Sequence, residues 1–106
     1  LSDFDLGLPQ TPPHGQSAWH LFVLRLDTQK RLRAYRALKN VGIAAQVHYL
    51  PVHLHPFYQS FGFSKGDFPN SELHADSALS LPIFPDLTEQ QQNQVVSTLK
   101  EILLTE

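Results

Sequence analysis

The sequence predicts a small two-layer α+β domain, a short three-stranded sheet with helices packed on one face. Three observations carry that expectation. Residues 18–26 form a nearly continuous apolar run rich in strand-favouring side chains. Residues 43–49 and 80–85 are two further extended stretches. Near the C-terminus Val95, Val96, Leu99, Ile102 and Leu103 recur at the spacing of an amphipathic helix. A sheet face and helix stripes of this size must cover one another, which leads to two layers. The order of the strands is left open.

Residues 1–17 mix Asp, Gly, Gln and Ser with Pro9, Pro12 and Pro13 and have no sustained apolar period, so they read as an extended connector. The folded domain is expected to run over 18–106. In the first strand Trp19 and Phe22 are expected in the core, with His20 on the opposite face. Asp27 or Thr28 can cap the next helix, where Ala34, Tyr35, Leu38 and Val41 gather on one side and Gly42 supplies the stop. A second strand follows over 43–49. Residues 56–62 suggest a short helical turn, 66–69 a break, and Asn70 or Ser71 the start of a short helix running to about Leu79. Over 80–85 each proline restrains its predecessor, and Pro82 makes the passage an edge strand or strand-like. Thr88 with Gln91 three residues later matches a capping box for the last helix.

A chain of 106 residues fits one modest core, and 42% hydrophobic content is ordinary for a globular protein. The formal charge of −2 weighs against a general polyanion binder. Cysteine is absent, which excludes disulfides, thiolate metal sites and a cysteine nucleophile. It also fits a reducing cytoplasm, the expected location. No run reaches the roughly 20 apolar residues of a membrane-crossing helix, so no membrane partner is expected. The chain opens on Leu1 without a basic start and apolar block, and is expected to be a piece of a longer polypeptide.

The segment 46–58 holds the candidate site. It places His48, His53 and His55 beside Tyr49 and Tyr58, while Pro51 and Pro56 remove two backbone donors and hold the chain extended. Polar-tipped rings of this kind need partners when buried, so the run suits the presentation of side chains. A typical metal site needs matched distances, a second shell and usually a carboxylate or further histidine, and no acidic residue lies between Asp27 and Asp67. The basic residues Lys30, Arg31, Arg33, Arg36 and Lys39 read as a solvated helix face, and no nucleic acid is expected. Lys65 lacks the spacing and context of a phosphate loop, and no serine sits in a nucleophile elbow. A stand-alone ligand- or metal-binding module using the histidine-rich segment remains as an alternative.

Ser17-Ala18-Trp19-His20-Leu21-Phe22, Gly42-Ile43 with Val47-His48-Tyr49 and Pro51-Val52-His53, and Ser80-Leu81-Pro82-Ile83-Phe84-Pro85 before Leu87-Thr88 together define a pattern. It resembles the C-terminal domain of the nucleotide-sugar aminotransferases, which are fold type I, pyridoxal-phosphate-dependent enzymes. The likeness covers nearly all of the chain from Ser17 and is nearest to the pseudaminic acid branch, which serves flagellin and surface glycans. It implies transfer of an amino group from L-glutamate to a UDP-4-keto-6-deoxy sugar through pyridoxal 5'-phosphate, in a cytoplasmic homodimer. The resemblance places the Schiff-base lysine and the cofactor groups in a large domain, away from Lys30, Lys39 and Lys65. This piece is therefore expected to bind no cofactor alone and to be inactive, with no catalytic residue and no metal. It implies one wall of the substrate cleft, made by Gln46, Val47, His48, Tyr49 and His53.

Overall fold

The computed structural model describes Leu1 and residues 4–105. Strand β1, Phe22–Arg25, leads into helix α1, Thr28–Asn40. A single 3-10 turn at Val52–Leu54 and helix α2, Pro56–Gln59, follow. Helix α3, Pro69–Ser77, runs directly into strand β2, Ala78–Leu81, and helix α4, Glu89–Leu104, closes the chain.

The α+β class stands, but the sheet has two strands among the described residues instead of three. Antiparallel β1 and β2 pair Phe22 with Leu81, Val23 with Ser80, Leu24 with Leu79 and Arg25 with Ala78. The strand expected over 43–49 contracts to one bridge, in which Gln46 and Ser80 exchange both backbone hydrogen bonds at 2.8 and 2.9 Å. Extending that ladder would set Ala44 opposite Pro82, which has no amide hydrogen to give. On the other edge Gly7 pairs with Arg25, so part of the 1–17 stretch lies along β1. A Cβ on Gly7 would lie 3.0 Å from Arg25 Nε and 3.2 Å from its Cβ, so a larger residue there would have to displace the Arg25 side chain slightly.

Three further expectations are corrected. The first strand begins only at Phe22, because Trp19 has a φ of 50°, a left-handed turn that interrupts the expected extended run before it. Trp19 is consequently 38% exposed and lies over the partly buried Phe22, with ring centroids 5.8 Å apart. Val41 is 51% exposed, because it is the C-cap of α1 and its backbone has left the helical path. There Gly42 takes a φ of 82°, and the Gly42 and Ile43 amides return to the Lys39 and Leu38 carbonyls in a Schellman turn. The third correction concerns β2. It starts at Ala78, ends before Pro82 and is buried at all four positions, with β1 on one side and Gln46 on the other. Pro69 opens α3 as its first residue, a position that tolerates the missing amide.

The caps follow the sequence closely. The Asp27 carboxylate accepts from the Gln29 amide at 2.8 Å. Thr88 and Gln91 form the reciprocal capping box at 3.0 and 3.1 Å. Leu24, Leu38, Leu79 and Leu99 are fully buried and join β1, α1, β2 and α4 in one core, against which Leu1, Leu6 and Leu8 also pack. Arg33 on α1 donates to the Ile102 and Thr105 carbonyls at the end of α4. No helix among the described residues is long and apolar enough to cross a membrane.

Replacing the fully buried Leu99 with Ala is predicted to cost about 2–5 kcal/mol of stability, the lost apolar burial plus the cavity left behind. Thr88→Ala removes only a cap and is predicted to cost about 1 kcal/mol. Urea denaturation of both variants measures the contrast.

Candidate functional site

The presenting segment is fastened to the core at its start. Gln46 is held by both backbone bonds to Ser80 on β2. Two residues later the half-buried His48 places Nδ1 3.0 Å from the Ser80 hydroxyl, itself buried at 4% exposure. Ser80 thus grips the segment through its backbone and its side chain. The His48–Tyr49 peptide is cis, and the two rings lie 4.4 Å apart, tilted by 37°. Tyr49 is 71% exposed, with His48 beside its ring, and Val47 is also exposed. Gln46, Val47, His48 and Tyr49 therefore come together at one rim of the sheet.

His53 stands apart from that rim. It is 7% exposed, with Nε2 3.2 Å from a Glu72 carboxylate oxygen and its ring edge-on to Phe68 at 4.9 Å. Glu72, in the first turn of α3, also accepts from the Gly66 amide at 2.9 Å and from the Phe68 amide at 3.3 Å. One carboxylate therefore ties the 3-10 turn, the loop before α3 and α3 together. Val52, His53, Tyr58, Phe63, Phe68 and Ser71 line an open pocket of about 380 Å³ beside this staple. His55 is exposed and turns Nε2 to the Leu50 carbonyl at 3.2 Å.

Chemically the rim offers recognition: an imidazole with one nitrogen engaged, a phenol and an apolar edge. No group of three or more His, Asp or Glu side chains converges as a metal site among the described residues. Two contributing residues were not singled out by sequence reasoning. Ser80 sat in a passage read as an edge strand or strand-like, and the sequence carried no signal pairing it with His48. Glu72 was hidden as an ordinary acidic residue of a helix first turn, where its dipole preference gives it a bland role.

The Glu72 carboxyl is held below its ordinary value of 4.5, chiefly by the Gly66 amide, with burial opposing and the His53 and Phe68 bonds assisting. A depressed folded value means the staple stabilises fully above the unfolded value and is lost as pH falls through the folded one. Amide protection at Gly66 and Phe68 is predicted to fall below pH 4.5, and Glu72→Gln to remove that dependence. Hydrogen exchange across this pH range measures both.

The chain is 45% identical over 94 residues to the erythromycin biosynthesis sensory transduction protein EryC1 of Saccharopolyspora erythraea, covering 88% of this chain and 25% of that protein. It is 38% identical over 97 residues to the dTDP-3-amino-3,4,6-trideoxy-alpha-D-glucose transaminase of Streptomyces venezuelae, covering 91% and 25%. The S. venezuelae DesV structure, in complex with a ketimine intermediate, superposes with a TM-score of 0.88 at 35% identity, covering 95% of this chain and 27% of that one. Helicobacter pylori PseC, an aminotransferase of pseudaminic acid biosynthesis, shares the fold with a TM-score of 0.70 at 22% identity over 79% of this chain and 23% of its own. That last likeness shows the fold alone. The chain spans about a quarter of the length of the curated relatives it matches. Residues 1–100 match the DegT/DnrJ/EryC1/StrS aminotransferase family, and the chain belongs to that family.

Proposed function

We propose that this chain is the C-terminal substrate-cleft domain of a pyridoxal-phosphate-dependent aminotransferase that moves the amino group of L-glutamate to a keto sugar carried on a nucleotide. The observation that supports this best is the rim itself: His48 and Tyr49 presented side by side from a segment pinned to the core, in a chain of this family. On this reading residues 1–17 lead in from the large domain. The complete enzyme is a cytoplasmic homodimer.

On this reading the pyridoxal phosphate is held outside these residues. Lys30 and Lys39 lie on α1, Lys65 in the turn before α3, and Lys100, which the sequence reading passed over, on α4. None of them lines the histidine-side pocket, the apolar groove beside α4 or the hollow on α1. The Schiff-base lysine is accordingly assigned to the rest of the polypeptide, and the bound cofactor supplies there the carbonyl that receives and returns nitrogen. This chain binds and orients. The second ring nitrogen of His48 and the Tyr49 phenol meet hydroxyl or phosphate oxygens, and the Tyr49 face covers an apolar edge of the sugar or base. Gln46 and Val47 set the height of that edge. His53, committed to Glu72 through Nε2, has Nδ1 left to offer.

Two likenesses point to two different sugars. The resemblance carried by the sequence motifs implies a UDP-4-keto-6-deoxy sugar on the way to pseudaminic acid, whereas the S. venezuelae transaminase is named for a dTDP-linked 3-amino sugar. Offering both nucleotide sugars to the full-length enzyme in competition separates them by their kcat/KM ratio.

Borohydride reduction of the full-length enzyme with its cofactor is predicted to label a lysine outside these 106 residues. The isolated chain with pyridoxal phosphate is predicted to take no specific label. A stoichiometric adduct on Lys30, Lys39, Lys65 or Lys100 would contradict the assignment.

A further inference from the structure

We propose that Ser80 is a positioning residue for substrate selection, fixing the His48 ring so that Nε2 is the nitrogen turned to the sugar nucleotide. This rests on the reading of the 46–53 segment as a substrate wall.

An imidazole can rotate by half a turn and exchange which nitrogen faces outward, and in the free ring the proton is shared between the two tautomers. At His48 that freedom is removed. The Ser80 hydroxyl lies 3.0 Å from Nδ1 and cannot withdraw, because Ser80 is buried on β2 with Val23 paired on one side and Gln46 bonded on the other. Nε2 has no protein partner among the described residues, and it is not among their buried unpaired atoms, so it opens to solvent. When the hydroxyl donates to Nδ1, the ring proton sits on Nε2, which then donates to a phosphate or sugar oxygen. When the hydroxyl accepts instead, Nε2 is bare and accepts from a sugar hydroxyl. In both cases Ser80 dictates which atom does the recognising, and the backbone bridge to Gln46 sets where that atom stands.

The test is a double-mutant cycle in the full-length aminotransferase, with its own nucleotide keto sugar varied at saturating glutamate. Ser80→Ala is expected to raise the sugar KM roughly two- to tenfold, the size of one net hydrogen bond, with kcat and the glutamate KM unchanged. His48→Ala is expected to raise the sugar KM at least as much. The double variant is expected to match His48→Ala alone. Ser80→Cys, close in size and a weaker donor, is expected to fall between serine and alanine, and it serves as the readout if the alanine variant does not fold. Multiplying effects in the double variant, or a parallel rise in the glutamate KM, overturn the Ser80 assignment while leaving the wall in place. An unchanged sugar KM in His48→Ala removes the wall and the assignment with it.

Discussion

Strand β2 is the constraint on which the rest of the molecule depends. All four of its residues are buried, with β1 hydrogen-bonded along one edge and Gln46 at the other. Leu79 contributes to the same core as Leu24, Leu38 and Leu99, so the strand is held by apolar contact as well as by its ladder. A side chain in such a strand has little freedom. That rigidity passes through Ser80 to the 46–49 segment, which would otherwise be a proline-bounded loop without a regular partner.

The second anchor works by a different physics. Glu72 collects two backbone amides and a histidine, and its depressed pKa records that the charged form is the one being held. The two anchors divide the presenting segment. Ser80 holds its beginning by neutral hydrogen bonds from a buried strand, and Glu72 holds the 3-10 turn by a charged acceptor near the surface. Between them lie Tyr49, Leu50 and Val52, all exposed and free to meet a ligand or the remainder of a larger protein.

The helices and their caps were legible because local chemistry decides them: Asp27, Gly42, Thr88 and Gln91 act within a few residues of themselves. The apolar stripe of α4 was legible for the same reason, with Val95 and Leu99 buried as its period requires. The sheet was less so. The bridge at Gln46 depends on which segment meets Ser80 across more than thirty residues, and the alternation of Ile43 and Ala45 with exposed neighbours is the same for a strand and for a single bridge. Pro82 misled in a specific way, since it marks the end of a buried central strand and not an edge. In the histidine-rich segment the exposure of Tyr49 and the burial of His53 depend on Ser80 and Glu72, which became visible only once the chain had folded them against it.

On the proposed reading this domain recognises the sugar nucleotide, and bonds to nitrogen are made and broken outside these residues. A crystal structure of the full-length enzyme with its nucleotide sugar bound tests this most directly. The predicted result has His48 Nε2 about 3 Å from a sugar or phosphate oxygen, with Nδ1 still on Ser80 and Tyr49 against the ligand. A ligand seated away from residues 46–53, with His48 and Tyr49 facing only water, would contradict it.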